Sequence, residues 1–234
     1  MKNIFTIILL GLLLLNADQT WAVQSTIRVV VYGDSLTSGY ELQPEQAFPA
    51  RLYRKLRENG FTNVEVVNMS VPGQTTAGGF EHISSVIDAH PDIVILQLGY
   101  NDAIRGIRIE TINHNLGSIM GQLSSKQILT VLVGVRAPAN MGVDYAGQLE
   151  AMYRSLAALY KAYLYPDALD IIYGRQEMNL ADGLHPNARG VETMVEYMYP
   201  LIDSVVRWKW QVLQQQRDYE EQQQLQQQEN LSNR

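Results

Sequence analysis

The sequence predicts an α/β fold, a parallel sheet covered by helices on both faces, and three observations carry that prediction. Strand-like runs alternate with helix-like stretches from Thr26 onward, and such alternation implies βαβ units joined into a parallel sheet. The strand runs, among them V-V-V-Y, D-I-V-I-L-Q-L and I-L-T-V-L-V-G-V, are branched and nearly unbroken by polar residues, as strands buried on both sides are. With 234 residues, 46% hydrophobic and 18% charged, the chain is long enough for one sizeable core and short for two.

The elements follow in order. T-I-R-V-V-V-Y is the first strand, its β-branched run ending in the turn formers and helix starters G-D-S. P-E-Q-A-F-P-A-R-L-Y-R-K-L-R-E-N-G reads as a helix, V-E-V-V-N-M-S-V as the second strand, and a helical stretch then runs to near His90. D-I-V-I-L-Q-L is the third strand, followed by another helix, and I-L-T-V-L-V-G-V is the fourth. A long helix, A-G-Q-L-E-A-M-Y-R-S-L-A-A-L-Y-K-A-Y, comes next, and the short A-L-D-I-I-Y is the candidate last strand. V-E-T-M-V-E-Y-M-Y-P-L-I-D-S-V-V-R-W-K-W reads as the final helix, kinked or restarted at Pro200.

The ends differ from this body. Lys2 precedes an apolar run from Ile4 to Leu15, then polar residues and the small-residue site Thr20-Trp21-Ala22, the pattern of a secretory signal over residues 1–22 cleaved after Ala22. That run falls short of the roughly 20 residues a bilayer span requires, so an exported protein, periplasmic or secreted, without a membrane span is expected. The main domain is placed at residues 23–210. Residues 211–234 are Gln-rich, with too few apolar positions for a core, and read as a helical extension or disorder. Val212, Leu213, Leu225 and Leu231 do not sustain a heptad. The chain has no cysteine, so neither disulfides nor a cysteine-borne lipid anchor is available. A net charge of -6 argues against general nucleic-acid binding, which needs clustered Lys and Arg, and a small-molecule substrate and a monomer are expected.

Ser35 sits where the first strand gives way to helix. It is either a helix cap or a nucleophile at the carboxyl edge of the sheet, where open α/β sheets bind ligands. Other chemistry-bearing residues cluster at predicted element ends: N-M-S-V-P-G-Q-T-T with Gly73, L-Q-L-G-Y-N-D-A with Gly99, Asn101 and Asp102, and A-D-G-L-H-P-N-A-R-G with Asp182 three residues before His185. Singly, each is explained by turn or cap chemistry. Together they supply what acyl transfer needs: a nucleophile (Ser35), a base (His185), a carboxylate to orient it (Asp182), and oxyanion donors in the N–H groups of Ser35 and Gly73 and the amide of Asn101. The α/β-hydrolase elbow G-x-S-x-G is absent, because G-D-S-L-T ends in Thr. His82, His90 and His114 lack metal-ligand spacing and read as surface or capping histidines. Asp34 reads as steadying the turn, Asp102 as a cap or loop brace, and Arg105 as either a loop brace or a head-group contact.

G-D-S-L, N-x-S-x-x-G, G-x-N-D and D-x-x-H-P, in this order between about Ile27 and Val206, resemble the four blocks of the GDSL or SGNH hydrolase family. The finer text G-D-S-L-T-S-G-Y-E-L-Q-P-E-Q-A-F-P, L-G-Y-N-D-A-I-R-G and R-A-P-A-N-M-G-x-x-Y is similar to that of exported bacterial esterases with thioesterase, lysophospholipase and arylesterase activity. The resemblance implies a flavodoxin-like three-layer α/β/α sandwich. It implies Ser35, His185 and Asp182 as a triad, Ser35, Gly73 and Asn101 as the oxyanion hole, and no metal or cofactor. Tyr100, where relatives carry a small residue, implies a narrower or more aromatic acyl-binding wall. The expected function is hydrolysis of carboxylic esters or thioesters through an acyl-enzyme. Two alternatives stand beside it: a carbohydrate acetylesterase, separable by comparing acetyl and octanoyl esters, and a catalytically silent binding protein, separable by labelling of Ser35.

Overall fold

The computed structural model describes residues 26–232, so the expected signal segment lies outside the described residues. Five strands, β1 (Ile27–Gly33), β2 (Val64–Asn68), β3 (Ile93–Gln97), β4 (Leu129–Val133) and β5 (Tyr163–Tyr165), form one sheet in the order β2-β1-β3-β4-β5. Every pairing is parallel, with Val29 opposite Ile93 and Val31 opposite Asn68. This is the flavodoxin-like order, whose direction reverses between the first and third strands and opens a crevice there at the carboxyl ends. Val29, Val30 and Val31 are wholly buried, as are Ile93 to Leu96, which is why these strands carry no alternating polar residue.

The helices are α1 (Ser35–Ser38), α2 (Phe48–Glu58), α3 (Thr76–Glu81), α4 (Ile83–Asp88), α5 (Tyr100–Ile104), α6 (Ile109–Ser125), α7 (Gly142–Tyr160) and α8 (Ala188–Ser232). Right-handed crossovers put α2 on one face, because the chain steps from β1 to β2 in one direction and in the other direction thereafter. α2 packs against α8 on that face, while α3, α6 and α7 pack together on the other. α2 buries Phe48, Leu52 and Leu56, spaced by one helical turn. Its outer side meets α8 through Arg51–Glu192 and Lys55–Glu196 pairs, each at 2.6 Å. Such half-exposed pairs are worth at most about 1 kcal/mol, so the buried faces hold the helices in place.

One expectation is corrected and another is narrowed. A-L-D-I-I-Y is not the last strand: these residues form turns, and Ala168, Leu169 and Ile172 are buried at spacings that suit a coiled segment rather than alternation. The last strand is Tyr163–Tyr165, which begins just after Lys161 leaves the helix in the left-handed region, at φ 53°. Of the two outcomes expected at Pro200, a restart does not occur, because α8 runs through it to Ser232 with Met198, Ile202, Val205 and Val206 buried around it. From Asp218 to Ser232 every residue of the helix is exposed, whereas Leu213 still packs on the core. No helix among the described residues is long and apolar enough to cross a membrane.

Candidate active site

β1 ends abruptly at Gly33. A Cβ there would lie 2.3 Å from Thr37 Oγ1 and 2.7 Å from the backbone oxygen of Gln97, so the next strand leaves no room for a side chain. Asp34 takes the N-cap of α1, its Oδ1 accepting from the Leu36 N–H at 3.0 Å. The cap is therefore Asp34, and Ser35 at the first helical position keeps its hydroxyl free for other partners.

That hydroxyl meets His185: Ser35 Oγ and His185 Nε2 are 2.9 Å apart. His185 Nδ1 is in turn 2.6 Å from Asp182 Oδ2. The other oxygen of Asp182 accepts from the backbone N–H groups of Leu184 (2.8 Å) and His185 (3.0 Å). Gly183 turns the loop at φ 68°, and the Leu180 N–H closes it on the His185 carbonyl at 2.8 Å. What burial Asp182 has works against its charge, but the hydrogen bonds from His185 and from the Leu184 and His185 backbone outweigh it and hold the carboxyl at about 2. The sequence analysis did not single out Tyr40, whose ring lies 4.6 Å from that of His185 at a 41° tilt. Its only signal was a position just after the turn at Gly39.

The loop after β2 is latched to β1 beyond the end of the strand, Met69 N donating to Val31 O (2.9 Å) and Val71 N to Gly33 O (3.0 Å). Gly73 follows at φ 78°. Among the described residues, the N–H groups of Ser35 and Gly73 donate to no protein acceptor. The turn after β3 is as tight as that after β1. Gly99 sits at φ 119° where a Cβ would be 2.3 Å from the Tyr153 hydroxyl, and that hydroxyl donates to Leu98 O at 2.6 Å.

Asn101 Nδ2 then donates to Asp34 Oδ2 at 3.2 Å and to Gln74 O at 3.1 Å, which ties the ends of all three strands together. Burial pushes the Asp34 carboxyl up to about 7, against hydrogen bonds from the Leu36 N–H and the Asn101 amide that favour its charged form. Asp102 is a brace between loops: it accepts from the N–H of Thr76 (2.9 Å) and its hydroxyl (2.6 Å).

The structure thus brings Ser35, His185, Asp182 and Asn101 to one edge, with Gly73 on the adjoining loop. Tyr100, only 7% exposed, opens α5 immediately before Asn101. Arg105 ends α5, its backbone N–H donating to the Asn101 carbonyl at 3.3 Å, and is exposed. His82 ends α3, its Nδ1 2.8 Å from Gly78 O, while His90 and His114 are exposed. No group of His, Asp and Glu that could hold a metal occurs among the described residues. A groove of about 570 Å³ runs beneath the Gly73 loop, lined by Tyr32, Met69, Val71, Pro72 and Val86 among others, a size within the range of small-molecule sites.

Comparison with known proteins gives this chain a family and a fold. Residues 31–192 match the GDSL-like lipase/acylhydrolase family. An arylesterase of Vibrio mimicus is 32% identical over 76% of this chain and 88% of its own length. Thioesterase 1/protease 1/lysophospholipase L1 of Escherichia coli strain K12 is 27% identical over 80% of this chain and 88% of its own. The solved structure of AlinE4, an SGNH-hydrolase family esterase, superposes with a TM-score of 0.65 at 34% identity, covering 77% of this chain and 97% of that one. The chain belongs to the GDSL-like lipase/acylhydrolase family, has the SGNH-hydrolase fold, and is an ester-bond hydrolase.

Proposed function

We propose that this protein is an exported serine esterase that cleaves carboxylic esters or thioesters through an acyl-enzyme, with Ser35, His185 and Asp182 as its triad. The observation that carries the reading is the continuous path from Asp182 through His185 to Ser35, at 2.6 and 2.9 Å. Ser35 Oγ attacks the acyl carbon while its proton passes to His185 Nε2, and the carbonyl electrons move onto oxygen. The N–H groups of Ser35 and Gly73 and the amide of Asn101 receive that oxyanion. As the tetrahedral intermediate collapses, the bond to the leaving alkoxide or thiolate breaks and His185 Nε2 gives it the proton. Water then attacks the acyl-Ser35 ester, its proton goes to His185, and collapse returns that proton to Ser35 Oγ with release of the acid.

The groove beside Gly73 supports an ester with one sizeable apolar substituent, of the lysophospholipid or acyl-thioester kind. Support for export comes from the N-terminal pattern of Lys2, the apolar run and Ala22. The test is a panel of acetyl to long-chain esters and thioesters of one chromogenic leaving group, with wild type and Ser35→Ala. Wild type is expected to prefer octanoyl or longer over acetyl, and the variant to keep its fold and lose turnover. A preference for acetyl would favour a carbohydrate acetylesterase, and turnover retained by Ser35→Ala would remove the nucleophile from the scheme.

A further inference from the structure

An amide nitrogen has two hydrogens, and both of those on Asn101 are already engaged, one with Asp34 Oδ2 and one with Gln74 O. If Asn101 is to donate to an oxyanion, one partner has to be displaced. The two are not equivalent. Asp34 is 0% exposed, and its two oxygens are each committed, Oδ1 to the Leu36 N–H and Oδ2 to Asn101. Stripping Oδ2 would strand a buried carboxylate oxygen with no water to replace the lost donor. Gln74 O belongs to a part-exposed residue on the loop that carries Gly73, so solvent can satisfy it once the amide turns to another acceptor.

We propose that Asp34 is a positioning residue of the oxyanion hole: its carboxylate holds one N–H of Asn101 while the substrate's carbonyl oxygen takes the other from the Gln74 carbonyl. This rests on the reading of Asn101 as an oxyanion donor. Asp34 therefore has two tasks on two oxygens, capping α1 and aiming Asn101. A side chain with one acceptor oxygen can serve only one of them.

The test is a double-mutant cycle with Asp34→Asn, Asn101→Ala and the pair, reading kcat and KM separately on one ester, with folding followed by circular dichroism. Asn101→Ala is expected to lower kcat on the order of 10²–10³-fold with KM little changed. Asp34→Asn should lower kcat about 10- to 100-fold, again at nearly constant KM, as expected when a buried hydrogen bond that aims the donor is lost. The decisive result is the double variant, whose kcat should match that of Asn101→Ala, because without Asn101 there is nothing left to aim. If the two losses multiply, or if Asp34→Asn alone keeps wild-type kcat, the proposal is overturned while the oxyanion reading stands. If Asn101→Ala itself keeps wild-type kcat, it is the oxyanion reading that fails, and the proposal with it. Should Asp34→Asn not fold, Asp34→Ser runs the same cycle, since serine retains a capping oxygen for the Leu36 N–H and offers none to Asn101.

Discussion

Replacing Asp182 with Asn keeps the shape of the loop and changes the chemistry of its contact with His185. Asp182 accepts three N–H bonds: two from the backbone of Leu184 and His185 on Oδ1, and one from His185 Nδ1 on Oδ2. An amide has one oxygen, and two backbone donors hold it more strongly than one ring nitrogen does. The NH2 of Asn would then face Nδ1, make it an acceptor, and leave the ring proton on Nε2, where it cannot receive the proton of Ser35. A tautomer error of this kind costs on the order of 10⁴-fold in the serine protease triad. Asp182 is 43% exposed at its side chain, so water can partly rescue the ring, and we expect a kcat loss on the order of 10²–10⁴-fold. The pH dependence follows from the sign of the shift. The Asp182 carboxyl is depressed to about 2, so the stability it contributes is present above its usual range near 3.8 and lost as pH falls through 2. It is ionised throughout any practical assay, and the fall of kcat/KM toward low pH is not its titration. The assay is a pair of kcat/KM profiles from pH 5 to 9. If Asp182→Asn leaves both the plateau and the midpoint of the rise unchanged, the reasoning is refuted: Asp182 is only a turn residue and Ser35 works with His185 alone.

Three further outcomes are expected. Gly33→Ala should destabilise by about 1–3 kcal/mol, because its methyl meets the backbone oxygen of Gln97 at 2.7 Å; urea denaturation reads this, and an unchanged midpoint would contradict the packing at the end of β1. Tyr40→Ala should lower kcat about two- to tenfold while Tyr40→Phe does not, since the contact at 4.6 Å is between rings and not through the hydroxyl; equal losses in both would point to the hydroxyl instead. Deleting residues 218–234 should leave turnover and the thermal midpoint unchanged, because the helix is exposed from Asp218 on; a lower midpoint would show that this stretch docks or self-associates.

The central strands were legible because β1, β3 and β4 are buried on both sides and their branched runs leave no alternative. β5 was not. Its three half-buried residues, Y-L-Y, continue the apolar pattern of α7, and only the left-handed Lys161, invisible in composition, separates them. A-L-D-I-I-Y misled in the opposite way, since buried Ala168, Leu169 and Ile172 resemble a strand whenever turn geometry is unknown. Within the site, Ser35, His185, Asp182 and Asn101 could be named from short spacings and family blocks. The second task of Asp34 could not, since its partner Asn101 is brought to it only by β1 and β3 pairing side by side. Tyr40 against His185 was likewise hidden, because the contact joins the two ends of the domain.

The central claim, that Ser35 is the nucleophile activated by His185, is tested most directly by covalent trapping. The purified protein would be treated with a fluorophosphonate, and loss of esterase activity followed together with the mass and position of the adduct. The account predicts one adduct per chain, on Ser35, formed at the rate at which activity disappears and slowed to background in His185→Ala. Full activity with Ser35 modified, or inactivation with the adduct on another residue, would contradict it.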